Sequence, residues 1–544
     1  VAKLRSLVIV LACLADSSAF AEPAPPLYEG LGAHARPVAT SSPEAQRYFD
    51  QGLAFLYAFN HDEAIRSFAH AGALDPGCAM AWWGVAYANG PHINNPVVPE
   101  ERAKAAWEAL SRARAAAAKA RPVEQALIEA LAARYALPQP EDRKPLDQAY
   151  ADAMRKVWTA HPKDPDVGAL FAEALADLRP WDLWTPEGEP QPGTEELVAT
   201  LEAVLALDPR HPLANHLMIH AVEASPSPEK ADRAADTLRN LQPGLGHMVH
   251  MPSHIDVRRG RWQQAIDANA KAIEADRRWA ARAPEPGFYR LYMSHNHHML
   301  AYGAMMTGQS ALALATIREM VEAIPLSFYA ANPWADGFKA MPLEVLMRFG
   351  RWDEILAEPG FPDVVPISRS LQHYARAVAH AAKGDLDAAR GEQAAFAAAR
   401  QRVPKEATFG NNTGADILDV AESFMRGEIL FRAGKIEEGL ASLKEAAARE
   451  DRLRYDEPPD WIQPVRHAWG AALLQAGRFA EAEAVFREDL RKLPENGWAL
   501  YGLSRALALQ KKADEAAAVE RRFDAVWRRA DLKIKSACLC LPGV

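Results

Sequence analysis

Residues 45–78 read AQRYFDQGLAFLYAFNHDEAIRSFAHAGALDPGC. Counted from Ala45 in a 34-residue frame, Gly52, Ala64, Phe68, Ala71 and Pro76 stand at positions 8, 20, 24, 27 and 32. Small residues at 8 and 20 let two helices approach closely, and Pro at 32 ends the second one because it has no N–H to donate. The turn between the helices, Asn60-His61-Asp62-Glu63-Ala64, recurs in altered form as Gly260-Arg261-Trp262, Gly350-Arg351-Trp352, Gly434-Lys435-Ile436 and Gly477-Arg478-Phe479. A left-handed Gly closing one helix and a new helix opening behind it accounts for that recurrence.

This spacing resembles the tetratricopeptide repeat (TPR), and the resemblance implies an all-α fold: a TPR-type right-handed helical solenoid of about ten helix-turn-helix units. Repeats are expected to begin near Ala45, Gly77, Pro212, Gly246, Ser294, Asp336, Val420 and Gln463, with degenerate units at 165–205 and 370–400. Two inserts interrupt them, Gly90–Pro99 and Arg179–Gly193, the second carrying Trp181 and Trp184. The chain divides into a leader (1–21), a Pro-rich arm (22–44), N-terminal units (45–210), His-rich units (211–330) and C-terminal units (331–544), read as one continuous superhelix.

The composition of the 544 residues is 49% hydrophobic and 24% charged, with net charge −9. No basic block with interleaved aromatics exists, so a nucleic-acid partner is not expected. No run of apolar residues is long enough for a mature membrane span. Lys3 and Arg5, the apolar stretch Leu7–Ala15 and Ala19-Phe20-Ala21 follow the layout of a secretory leader cleaved near Ala21, which predicts a periplasmic or secreted protein. A competing reading acylates Cys13 as a lipoprotein. Cys78, Cys538 and Cys540 remain, and the last two are read as a metal-holding pair, a disulfide, or an end pinned to Cys78.

Histidine is what separates this chain from a generic scaffold. Nine of its 17 His lie between His211 and His298, more than half of them in under a fifth of the length. His216, His220 and Glu223 take positions 5, 9 and 12 of one unit; His247, His250 and His254 take 2, 5 and 9 of the next; His295, His298 and Tyr302 repeat 2, 5 and 9 in the third. First-helix positions of this kind line the concave groove of a TPR array. Side chains three or four apart on a helix are neighbours, close enough to share one ion or two adjacent ions.

The expected ligands are therefore His216, His220, His247, His250, His254, His295 and His298. Glu223 is a ligand or acid/base, and Tyr302 a neighbour of the metal. Pro252 either bends the helix carrying His250 and His254 or starts it, leaving His247 and His250 in a loop. His92, Glu173, Trp181, Trp184 and His467 are candidates for touching a small-molecule or peptide substrate in the groove. His211 reads as a cap and His297 as structural. His34, His61, His70, His161, His373 and His380 read as surface or satisfied core residues.

The stretches Asn215–Pro226 and Gly246–Ile255, with Trp181-Asp182-Leu183-Trp184 and Tyr455-Asp456-Glu457-Pro458-Pro459, resemble a His-rich group of exported bacterial TPR proteins. That resemblance implies the solenoid and groups the His motifs as one feature; it supplies no reaction. Imidazole suits copper, iron and zinc; neighbouring Met residues favour copper and Glu223 favours iron or zinc, giving the order copper, iron, zinc. The leading expectation is a metal-dependent oxidoreductase. Alternatives are a zinc-type metallohydrolase, a non-catalytic scaffold for peptides or metal capture, and an acid-binding site of protonated His. Neither a phosphate-binding Gly-rich loop nor a G-x-S-x-G elbow is present.

Overall fold

The computed structural model describes residues 24–283 and 286–541. The leader and Cys13 lie outside the described residues. Beyond the N-terminal arm the chain folds into helix hairpins in succession, from Pro43–Tyr57 with His61–Leu74 to Gly497–Leu509 with Ala513–Val526: an all-α TPR solenoid. One two-stranded hairpin, Thr408–Phe409 with Asn412–Thr413, interrupts it. Among the described residues no helix is long and apolar enough to cross a membrane.

The 34-residue frame acts through packing. A Cβ on Gly52 or on Gly84 would come within 2.6 Å of the Phe68 ring, so that ring fills the gap between two glycine-faced helices. Phe486, also at position 24 of its unit, sits in the same way between Gly470 and Gly502. Gly260, Gly350, Gly434 and Gly477 adopt φ of +71°, +64°, +79° and +73° at the inter-helix turns, where a side chain would be strained. In the first unit the non-glycine Phe59 takes this conformation (φ 57°), with Asn60 capping the next helix.

Several boundaries differ from expectation. The segment 122–207 holds two hairpins, Pro122–Ala132 with Lys144–Ala160 and Pro165–Ala176 with Thr194–Leu207, where one degenerate unit was expected. The stretch 366–400 is a regular pair, Pro366–Ala382 and Leu386–Arg400. Cys538 and Cys540 form a disulfide, and Cys78 is buried and free.

The coil is tight enough for distant repeats to meet. Trp262 Nε1 donates to the Pro494 carbonyl at 2.8 Å, and Trp498 Nε1 to Met305 at 2.7 Å. Asp531 accepts from the backbone of Ser310 and Ala311. The C-terminal hairpins thereby dock on the His-rich ones. The N-terminal arm lies against the first hairpin and residues 164–244: Tyr28 N–H donates to Gln51 Oε1, Gly244 N–H donates to Gly30 O, and Arg36 binds Asp164 and Asp166.

Many carboxyls are buried with raised pKa. Burial pushes Glu344 up to about 8, with no ion-pair partner among the described residues; it pushes Glu428 to about 7 and Glu450 to about 8. The folded state keeps a proton that the unfolded chain loses above its ordinary value of 4.5. This contribution to stability is full below 4.5 and lost as pH rises through about 8. Glu344 by itself therefore lowers stability from pH 5.5 to pH 8, and Glu344→Gln should gain melting temperature relative to wild type across that range. A Glu344→Gln curve parallel to wild type would contradict this assignment.

Candidate metal centre

Helices Pro212–Val222, Gly246–His250, Pro252–Arg258 and Arg290–Met306 bring the imidazoles together. Pro252 breaks the hydrogen bonding but not the helical path. Met251 keeps φ −48° and ψ −39°, its N–H still donates to His247 O, and the turn resumes with His254 N–H on Met251 O. His247 and His250 therefore sit in helix, not in a loop.

The rings fall into two adjacent groups of three. In each of the groups His216–His220–His247 and His250–His254–His295, the ring nitrogens lie within 4.8 Å of one another. His220 and His254, one from each group, have centroids 5.6 Å apart and flank Glu223. His220 Nδ1 donates to Glu223 Oε1 at 2.7 Å, and His254 Nδ1 donates to Oε2 at 2.5 Å. These three side chains form a further possible ligand set. Burial alone would raise the Glu223 pKa, but His254 and His220 hold it at about 2. With both oxygens accepting from ring N–H groups, Glu223 orients the His220 and His254 rings.

Tautomers follow from the partners. His216 Nδ1 meets the Tyr57 carbonyl at 2.8 Å, and an oxygen there can only accept, so Nδ1 carries the proton. His250 Nδ1 meets Asn269 Oδ1 at 2.6 Å, and Asn269 Nδ2 donates to Ala265 O, which fixes the amide's orientation. His254 Nδ1–H is held by the Glu223 carboxylate. Consequently His250 and His254 both turn Nε2 lone pairs inward, and these two nitrogens are 2.7 Å apart. Two lone pairs at that distance repel unless a proton or a metal ion lies between them. Metal–nitrogen bonds of about 2.0–2.1 Å at a tetrahedral angle would set the nitrogens about 3.3 Å apart, so the pair parts by roughly 0.6 Å to admit an ion. The His216 and His247 Nε2 atoms, at 3.1 Å, already stand near that separation.

The surroundings favour neutral rings. Burial, reinforced by neighbouring imidazoles, pushes His216, His247, His250 and His295 well below the ordinary histidine value. His254 is the exception: burial would lower it, but the Glu223 charge and hydrogen bond outweigh that and raise it. His220 Nε2 is buried without a hydrogen-bond partner. Phe59, in its left-handed backbone, lays its ring 4.5 Å from His216.

Other candidates take different places. His298 stands against Phe338 at 5.7 Å, outside both groups, with its pKa pushed to about 3 by burial. The Tyr302 ring packs on Trp262 at 5.6 Å and borders the adjacent cavity. Trp181 and Trp184 also line that cavity, fixed by hydrogen bonds to Asn94 and the Ala221 carbonyl, and Trp181 meets His220 edge-on. His92 lies behind Phe59 and beside His61, at 4.8 and 4.3 Å. Glu173 accepts from Tyr87 at 2.8 Å within the N-terminal core, its pKa pushed to about 8 by burial. His467 lies away from the cavity: Nδ1 accepts from Arg348 and Nε2 donates to Asp489, which leaves no ring atom for a substrate. His297 Nδ1 meets the Met293 carbonyl at 2.8 Å.

Some neighbours of the rings are residues to which the sequence assigned no site role. Asn269 occupies position 24 of its unit, where Phe68 and Phe486 stand in theirs, and that polar exception was a visible signal. Tyr455 arrives from a loop 232 residues beyond Glu223, with its hydroxyl 3.4 Å from Oε2 and 2.8 Å from Glu457. His34 and His211 both bind Asp166, at 2.9 and 3.1 Å. His211 is the cap expected, its Nδ1 accepting from Ala214 N–H, so its other nitrogen carries the proton and offers no lone pair. Asp166 also accepts from Tyr57 and Arg36; this second cluster is an anion satisfied by four donors, unlike the lone-pair centre.

Fold and repeat together define a TPR-type helical solenoid. The tetratricopeptide repeat family matches residues 473–519, covering the hairpin turn at Gly477 and the helix Gly497–Leu509. No curated protein matches the sequence. Among solved structures, the human IFIT1 dimer with m7Gppp-AAAA is similar at 14% identity over 91% of each chain, TM-score 0.33. Yeast Tom70 is similar at 12% identity over 89% of this chain and 93% of its own, TM-score 0.29. Overlap this loose carries no argument about what the present chain binds.

Proposed function

We propose that this protein is a TPR scaffold that captures a transition metal, copper before iron or zinc, in its two groups of three imidazoles. The observation that carries the reading is the His250–His254 pair, whose lone pairs meet at 2.7 Å because Asn269 and Glu223 hold both opposite nitrogens protonated. A proton satisfies that pair alone; the adjoining His216, His220 and His247 rings, buried, and the half-buried His295 ring, all pushed toward neutrality, make the bed one for a metal. Imidazole is the common ligand for all three ions. The leader-like residues 1–21 support an exported setting, where copper and zinc are the available ions.

A metal-dependent oxidoreductase is the second reading. It is favoured by the cavity of about 600 Å³ that His220 and Glu223 border, a volume suited to a small molecule. A metallohydrolase fits less well, since both Glu223 oxygens already accept from the His220 and His254 rings.

The test is the metal content of the purified full chain by mass spectrometry, with His250→Ala and His254→Ala alongside. Metal in stoichiometric amount in the wild type, reduced in both variants with the helical spectrum kept, is the expected result. Background metal after growth and reconstitution with copper, iron and zinc, or equal metal in all three proteins, would refute the reading. Optical absorption then separates copper and iron from zinc, and turnover of oxygen separates catalysis from capture.

A further inference from the structure

The cavity beside the imidazoles is lined by acids, bases and indoles, and its charges are unevenly matched. Arg179, Arg466, Arg491 and Lys492 each hold a carboxylate. Arg258 does not: among the described residues no carboxylate lies within 4.0 Å of it. Its Nη2 donates to the Ser225 carbonyl at 3.2 Å, its Nε is buried without a partner, and its guanidinium stands 5.7 Å from the Tyr455 ring. Arg258 lies one helical turn beyond His254 on the same short helix, so its charge borders the cavity on the metal side. Arg454, exposed at the same cavity, is likewise without an ion pair among the described residues.

We propose that this cavity binds a small organic monocarboxylate, with its anionic group on Arg258 and its apolar body against Trp181, Trp184 and Tyr455. A guanidinium presents a planar fork that matches a carboxylate, and half-burial strengthens the pairing over what an exposed one gives. Phosphate is disfavoured: Glu223, Asp456, Glu457 and Asp460 line the same space, and a dianion meets more repulsion there than a monoanion, with only half-buried Arg258 and exposed Arg454 left to offset it. The inference deepens the metal reading by naming what meets the ion, yet Arg258 attracts the anion whether or not the metal is bound.

The experiment is calorimetric titration of the full chain with benzoate, benzamide, acetate and inorganic phosphate, in chelator-treated and copper-loaded protein. Benzoate should bind, and benzamide and phosphate about tenfold more weakly or worse. Arg258→Gln should weaken benzoate by about tenfold to a hundredfold in both forms, the effect of losing a charged hydrogen bond, with metal content unchanged. Arg258→Lys, which keeps the charge but loses the planar fork, should fall between wild type and Arg258→Gln, and it serves if Arg258→Gln does not fold. The proposal is overturned if neither benzoate nor acetate binds more tightly than about 1 mM, if phosphate binds better, or if Arg258→Gln and Arg258→Lys behave alike. Benzoate that binds only the copper-loaded form, indifferent to Arg258, also overturns it. A chain that takes no metal but binds benzoate through Arg258 refutes the metal reading and leaves this one standing.

Discussion

Asp166→Ala should cost the fold roughly 3–5 kcal/mol, the range for removing one partner from a buried charge cluster. The carboxylate accepts from Arg36 at 2.9 Å, Tyr57 at 2.7 Å, His34 at 2.9 Å and His211 at 3.1 Å, and is itself almost wholly buried. Burial would raise its pKa, yet His211 and His34 hold it well below the carboxylate range. In the variant Arg36 keeps Asp164, but His34, Tyr57 and His211 lose their acceptor in the interior. The arm should loosen around His34 and Arg36, two of the several residues that tie it to the repeats. Denaturant unfolding measures the loss, and limited proteolysis within residues 24–41 measures release of the arm. A change below about 1 kcal/mol would show that the cluster is worth no more than a surface ion pair.

Glu223→Gln should lower metal affinity about 10- to 100-fold, the usual cost of removing a partner that orients metal-binding rings. The carboxylate gives one acceptor oxygen to each group of rings. An amide has one oxygen and one NH2, so either His220 or His254 meets a donor and must shift its proton to Nε2. That nitrogen then faces the metal position with a hydrogen in place of a lone pair, and one of the two groups loses a ligand. Competition against a chelator should show one weakened and one retained class of site, with the helical content unchanged. Equal affinity in wild type and variant would mean that Glu223 plays no part in holding the ion. These two acids lie in the same half of the chain and look alike in sequence, but one answers in stability and the other in metal retention.

How much of the molecule is legible in its sequence varies residue by residue. The Gly52–Phe68 and Gly470–Phe486 contacts are consequences of spacing within one repeat, and a 34-residue frame exposes them directly. The convergence of His216, His220, His247, His250, His254 and His295 also follows from helical register. His298 shares that register but stands against Phe338, which comes from the segment Pro333–Ala340 and is announced by no pattern within the helix Arg290–Met306. His467, read as facing a substrate, is instead shared between Arg348 and Asp489, two residues far apart in the chain that no local pattern pairs with it. His34, read as an ordinary histidine, became part of a buried hub because the arm folds back over a repeat 132 residues away.

The amino-acid order alone determined the all-helical repeat, its turns and the presence of a histidine-rich stretch spread over successive helices. These depend on φ preference, side-chain size and periodicity, all of which act over a few residues. Only the tertiary structure decided which nitrogen of each ring looks inward, which acids are already occupied and which arginine is not. Those outcomes depend on the Tyr57 carbonyl, Asn269, Glu223 and the Tyr455 loop, groups brought within hydrogen-bond reach by the superhelical coil, and hydrogen-bond direction is set by what stands opposite rather than by what stands next in the chain.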